Sequence, residues 1–136
     1  MVFSEVNYLA VIVAAVLGFG VGAVWYGLLF SKPWQAAVGL TEKDMKERGS
    51  PLPFVVVIVA DLIIAFVLSV LIGTLWIGQA TIGDGIVVAV LAWFGFVFTT
   101  IAVNNAFALR QPMLSVIDGG HWLAVLVVMG AIIGAF

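Results

Sequence analysis

Cysteine is absent from the chain, histidine occurs once, at His121, and charged residues make up only 9% of the sequence. Without cysteine the protein forms no disulfide and has no thiolate nucleophile or metal ligand. One histidine without cysteine also excludes the usual zinc sites and a haem held by two histidines, so we expect no metal and no cofactor. No residue set indicates a catalytic nucleophile, and we expect a protein that is not an enzyme.

Hydrophobic residues account for 65% of the 136 positions, and the mean hydropathy is +1.30. A soluble domain has about 25% charged residues, far more than this chain. A helix that crosses a bilayer needs about 20 mostly apolar residues, and four such runs fill almost the whole sequence. The composition therefore predicts a single all-α domain, residues 1–136, that forms an integral membrane bundle of four transmembrane helices.

Turn and capping residues set the bounds of these helices. Ser50 and Pro51 fit the start of the second, Asp84 is the expected N-cap of the third, and Thr41 is expected to cap a short surface helix that ends at Gly49. The predicted spans and the polar loop are at about 7–30, 51–77, 84–109 and 113–136, with the loop at 31–50.

Basic residues predict the orientation in the membrane. All five lie in the first or third connection, namely Lys32, Lys43, Lys46, Arg48 and Arg110. The positive-inside rule then places both connections in the cytoplasm and both termini outside, as in a multi-pass protein of the bacterial inner membrane. Because every copy would insert the same way, a homo-oligomer should be parallel. The basic residues form no extended patch, so we expect no nucleic-acid partner.

Polar side chains inside the predicted spans fall in one layer. With a rise of about 1.5 Å per residue, they lie about 6 to 12 Å from the cytoplasmic boundary. The layer contains Tyr26, Asp61, Asn104, Asn105, Asp118 and His121. Ionisable residues at such depth normally have a partner or a function. These residues, with the exception of Asn105, are our candidates for a solute-binding or proton-titrating site.

Small residues predict where helices approach each other. Ala14, Gly18 and Gly22 recur at every fourth position of the first helix and lead to Tyr26. Gly130 and Gly134 repeat the spacing in the fourth helix. Small residues at this spacing are typical of close helix contacts in membranes, so we interpret both sets as packing surfaces.

The chemistry of the polar layer favours transport. A buried aspartate beside an imidazole can exchange a proton between pH 5 and 8, and proton-coupled transporters use such groups. Asn104 and the Tyr26 hydroxyl could orient them or bind a solute. The first hypothesis is a homo-oligomeric transporter or channel-like protein whose ligand is a small polar solute, a proton or a lipid headgroup.

The same residues also allow a structural interpretation. Ser115 to Asp118, S-V-I-D, fits a capping box at the start of the fourth helix. Asp61 could anchor helix packing, and amides across helices contribute roughly 1 kcal/mol each. The alternative hypothesis is therefore an accessory membrane subunit whose polar cluster fixes the helices and whose cytoplasmic loop binds a partner.

Three segments carry a resemblance to a known family. They are N-Y-L-A-V at Asn7–Val11, W-Y-G-L-L-F-S-K-P-W at Trp25–Trp34, and G-L-T-E from Gly39. With the four spans and the acidic residue of the second, they resemble the bacterial membrane family named domain of unknown function 1761. The resemblance covers essentially the whole chain and implies a four-span fold, but it implies no activity and no catalytic residues.

Overall fold

The computed structural model describes residues 2–136, and every regular element among them is helical. The predicted all-α class is confirmed. A 3-10 turn at Val2–Glu5 precedes six helices: α1 Tyr8–Leu29, α2 Ser31–Val38, α3 Glu42–Arg48, α4 Leu52–Leu75, α5 Ile82–Phe107 and α6 Pro112–Ala135. Of these, α1, α4, α5 and α6 are long and apolar enough to cross a membrane.

Helix α6 lies at the centre of the bundle and contacts the other three long helices. In α6, 44% of the most apolar stretch is buried, against 11% to 28% in the other three. Around it, the half of the bundle away from the polar layer is filled by apolar side chains such as Leu68, Ile72, Val125 and Met129. The side chains of α6 therefore determine how each of the other three long helices packs in the bundle.

Glycines bring α6 into backbone contact with α5. A Cβ atom on Gly130 would overlap the carbonyl of Gly85, and one on Gly134 would overlap the carbonyl of Thr81. On the opposite side, Gly18 of α1 lies against Met129 and Val125 of α6. The small-residue stripes of α1 and α6 thus contact neighbouring helices of the same chain, and Gly85 joins them as a position that the sequence analysis missed.

Capping boxes begin α3 and α5 with the same geometry. Thr41 and Thr81 are the N-caps, and each accepts a hydrogen bond from the backbone N–H of the aspartate three residues later, Asp44 or Asp84. The prediction that Asp84 itself is the N-cap is wrong, because its carboxylate accepts from Thr81 as the third residue of the helix. At the exposed Asp44, the hydrogen bonds from Thr41 hold the pKa below its usual range.

Two features of the connections differ from the predictions. The loop contains a second helix, α2, which ends at Gly39 with a φ of 78°, a conformation that suits glycine. Helix α6 begins at Pro112, with Gln111 as N-cap and no side-chain cap. The proposed capping box between Ser115 and Asp118 is therefore wrong, since Asp118 lies in the second turn and its carboxylate is free to face another helix.

Candidate ligand-binding cavity

A cavity of about 900 Å³ lies between the ends of the four long helices nearest to α2 and α3. Four of the five predicted site residues line it: Tyr26 of α1, Asn104 of α5, and Asp118 and His121 of α6. Trp34 of α2 and Met45 of α3 line its mouth. The volume is within the range of about 300 to 1,000 Å³ that is typical of small-molecule sites.

Tyr26 and Asp118 form the strongest polar contact in the cavity. The Tyr26 hydroxyl donates to Oδ1 of Asp118 at 2.6 Å, a short distance that is typical of a bond to a charged acceptor. The ring of Tyr26 lies 4.8 Å from the ring of His121 and 5.8 Å from that of Trp34, between centroids. Tyr26 therefore positions the carboxylate while its ring forms part of an aromatic wall.

The two glycines between Asp118 and His121 explain how large rings reach α6. A Cβ atom on Gly119 would lie 2.8 Å from the Phe98 ring, and one on Gly120 would lie 2.9 Å from the Trp25 ring. The D-G-G-H sequence thus places a carboxylate and an imidazole on α6. Because the two residues between them have no side chain, aromatic rings can pack against the helix backbone there.

Tryptophans from both neighbouring helices donate to backbone carbonyls in this part of α6. The indole N–H of Trp25 donates to the carbonyl of Ile117 at 3.1 Å, and that of Trp93 donates to the carbonyl of Gly119 at 2.7 Å. A buried indole N–H needs such an acceptor. These bonds attach α1 and α5 to α6 on either side of Asp118.

Each of these tryptophans begins a π-helical segment, Trp25–Leu29 in α1 and Trp93–Phe98 in α5. Such segments occur frequently at functional sites. The pattern W-x-G-x-x-F occurs in both, at Trp25–Phe30 and Trp93–Phe98. Trp93 was not among the predicted site residues, although the repeated pattern was a signal that could have identified it.

His121 is held tightly at the inner side of the cavity. Its residue surface is only 4% exposed, and its Nδ1 atom is buried without a hydrogen-bond partner. A Cβ atom on Gly22 would lie 3.1 Å from Nε2, so the His121 ring packs closely against the α1 backbone at this glycine. The small-residue stripe of α1 therefore also determines where the His121 ring packs.

Asp61 lies apart from the other four predicted residues. It does not line the cavity, its residue surface is 1% exposed, and neither carboxylate oxygen has a hydrogen-bond partner. It lies deeper along α1, where a Cβ atom on Gly18 would be 3.7 Å from Oδ2. A structural salt bridge for Asp61 is absent among the residues that the structure describes.

The two asparagines of α5 have different surroundings. Asn105 donates from Nδ2 to Oγ of Ser115 on α6 at 3.1 Å, which is the interhelical contact that amides often make. Asn104 also lines the cavity but is exposed. Asn104 is therefore the amide with free hydrogen-bonding capacity.

Helix contacts are sparse on one side of the cavity. Helix α4 packs against the first part of α5, Ile82–Ala92, but hardly touches the last part, Thr99–Phe107. Residues from both edges of this gap line the cavity: Pro53, Phe54 and Val57 of α4 and Ile101 and Asn104 of α5. On this side the cavity is therefore bordered by parts of α4 and α5 that make few contacts with each other.

The arrangement of four apolar helices with a polar cavity at one end can be compared with known proteins. Residues 9–134 match the family described as "Protein of unknown function (DUF1761)". The chain belongs to this family. No curated protein and no solved structure matches the chain. In this DUF1761 protein the cavity is the feature whose chemistry bears on function.

The Tyr26 hydroxyl should contribute measurably to the stability of the DUF1761 chain. In Tyr26→Phe the Asp118 carboxylate loses its closest donor, so we expect the free energy of unfolding to fall by about 1 to 3 kcal/mol. Thermal unfolding in detergent measures the change, with Tyr8→Phe as the control because Tyr8 is exposed and outside the cavity. Equal melting temperatures for the two variants would contradict this role of Tyr26.

Proposed function

We propose that the chain is a small transporter that binds its solute in the cavity at the loop side of the bundle. The observation that carries the proposal is the convergence of hydrogen-bonding groups from three long helices, Tyr26, Asn104 and Asp118, on a cavity of about 900 Å³. If these polar groups served only helix packing, we would expect them to pack against each other without leaving a cavity. Here the polar groups surround a volume large enough for a solute.

Two buried groups without partners support the proposal. Asp61 and Nδ1 of His121 lie at and beyond the inner side of the cavity, and neither has a hydrogen bond. Burying polar groups without partners destabilises a fold, so natural chains retain them mainly where function requires them. We assign Asp61 and His121 as the groups whose protonation changes during the transport cycle.

The orientation of the transporter follows from its charges. All five Lys and Arg residues lie in the connections beside the cavity mouth, at positions 31–50 and at Arg110. By the positive-inside rule the cavity faces the cytoplasm, and both termini lie on the opposite side of the membrane. The opposite half of the bundle is filled by side chains such as Leu68 and Met129, so passage would use a rearranged bundle or a parallel homo-oligomer.

A second candidate function is supported by the bonds around α6. Trp25, Trp93 and Tyr26 fix the start of α6 through three interhelical hydrogen bonds. A non-transporting accessory subunit would need such a rigid arrangement and no access for solute. The two functions therefore differ in whether water and small molecules reach the cavity from the loop side.

Cysteine labelling separates the two functions, because the natural chain has no cysteine. We expect Asn104→Cys and Ser31→Cys, both in the cavity, to react with a water-soluble, membrane-impermeant maleimide. The reagent should reach them when the loop side of the vesicles is exposed. Lys43→Cys in the exposed helix α3 is the positive control, and Val88→Cys in the buried core is the negative control.

The pattern of labelling decides between the proposals. Reaction at Lys43→Cys together with no reaction at positions 31 and 104 would favour the accessory subunit. Gln79→Cys, in the connection between α4 and α5, tests the orientation. It should react only from the vesicle face opposite to the one that labels Lys43→Cys.

A further inference from the structure

The cavity wall combines a single carboxylate with aromatic rings. Among the described residues that line it, Asp118 is the only acidic residue and none is Lys or Arg. Aromatic rings form much of the wall and belong to Phe19, Tyr26, Trp34, Phe54 and Trp122. Aromatic faces attract organic cations, and a carboxylate adds a full opposite charge. The wall therefore favours a positively charged ligand over an anionic one.

The sparsely packed border between α4 and α5 indicates how apolar that ligand should be. The gap between α4 and α5 is bordered by apolar side chains, among them Phe54, Val57 and Ile101. Phe54 lines the cavity and is 61% exposed. In a bilayer this edge faces lipid chains, so a molecule dissolved in the membrane reaches the cavity without first entering water.

We infer that the cavity binds a lipophilic cation, an ammonium or phosphonium centre carrying apolar groups. The cation enters from the bilayer between α4 and α5 and places its charge beside Asp118. This inference rests on the proposed function, since it names the substrate class of the same cavity. It differs from a polar solute or an anionic lipid headgroup, which this wall would bind weakly.

Tyr26 is a positioning residue in this arrangement. Its hydroxyl bonds one oxygen of Asp118, while the carboxylate keeps its charge and further lone pairs for the ligand. The rings of Tyr26, His121 and Trp122 follow one another with centroid distances of 4.8 Å. Tyr26 lies next to the carboxylate, and the apolar groups around the cationic centre would pack against this series of rings.

Binding of tetraphenylphosphonium to the purified protein in a non-ionic detergent tests the inference. We expect the wild type to bind it at least tenfold more tightly than tetraphenylborate, which has the same shape and the opposite charge. Tetramethylammonium, which has the charge without the apolar groups, should also bind at least tenfold more weakly. Asp118→Asn should lose at least tenfold in affinity for tetraphenylphosphonium, whereas Asp84→Asn, far from the cavity, should retain it.

A second measurement avoids dependence on the folding of Asp118→Asn. Tetraphenylphosphonium should protect Asn104→Cys from maleimide labelling at concentrations at which tetraphenylborate does not. Equal binding of the two ions, or unchanged affinity in a folded Asp118→Asn, would overturn the inference. If Asn104→Cys labels but neither ion protects it, the open cavity of the proposed function stands and the cationic substrate class is wrong.

Discussion

Alanine at Gly130 should lower the free energy of unfolding by about 3 kcal/mol, which corresponds to a loss of about 10 °C in the melting temperature. The added Cβ atom would lie 2.9 Å from Cβ of Ala89 and would overlap the backbone carbonyl of Gly85. Backbone atoms cannot rotate away as a flexible side chain can, so α5 and α6 must separate. Thermal unfolding in detergent measures the effect.

Other glycines provide matched controls for this prediction. Gly20 and Gly73 lie inside α1 and α4, and a Cβ atom on either would meet nothing within 4 Å. Gly20→Ala and Gly73→Ala should therefore be neutral or stabilising, by up to about 1 kcal/mol, because alanine is the better helix former. A Gly130→Ala variant that melts with these controls would show that α5 and α6 are not in backbone contact.

The four long helices could be predicted from the sequence because their signal is local. Each apolar run is long enough to cross a bilayer and is bounded by turn residues. Which helix would occupy the centre is a tertiary property, yet α6 carried a partial signal. Gly119, Gly130 and Gly134 lie on one face of that helix, against α5 and its N-cap, and Gly120 lies beside them, against α1. Small residues of this kind let neighbouring helices pack closely.

The sequence predicts how deep in the membrane the candidate site residues lie, but not which way each side chain points. The rise per residue placed six polar side chains in one layer, and five of them, including Asn105, line one cavity. Whether a side chain faces that cavity depends on helix rotation, which spacing alone does not determine. Asp61 therefore belongs to the layer by depth and yet lies against Gly18, outside the cavity.

Errors at the helix starts have a simple physical origin. An aspartate near a helix start can act as the cap or as the third residue that bonds back to it. The spacing T-x-x-D, shared by Thr41 to Asp44 and Thr81 to Asp84, indicates the second role at both sites. For Asp118, the start of α6 at Pro112 removed any capping role and left the carboxylate to Tyr26.

Removing the charge of Asp61 should stabilise the protein. In Asp61→Asn the shape is retained, but a carboxylate that is 1% exposed and has no hydrogen-bond partner is replaced by a neutral group. Burial of an unpaired ionised carboxylate costs far more than burial of a neutral amide of the same shape. We therefore expect Asp61→Asn to unfold at a higher temperature than the wild type at neutral pH.

Asp84→Asn is the control, because it also removes one carboxylate and should have the opposite effect. Asp84 completes the capping box with Thr81, and weakening a cap costs about 1 kcal/mol. If Asp61 instead formed an ion pair, Asp61→Asn would be destabilised by about 3 to 5 kcal/mol, as broken buried pairs are. That result would contradict the assignment of Asp61 as an unpaired functional group.

Stability alone does not show what Asp61 does, so the same variant needs a functional measurement. A cation that binds beside Asp118 favours loss of protons from nearby acidic groups, and the titratable groups facing this region are Tyr26, Asp61, Asp118 and His121. In weak buffer at a mildly acidic pH, at which part of the Asp61 side chains carry a proton, addition of tetraphenylphosphonium should therefore release protons from the wild type and fewer from Asp61→Asn. A variant that is more stable but releases fewer protons would show that the chain retains Asp61 for proton coupling, at the expense of stability.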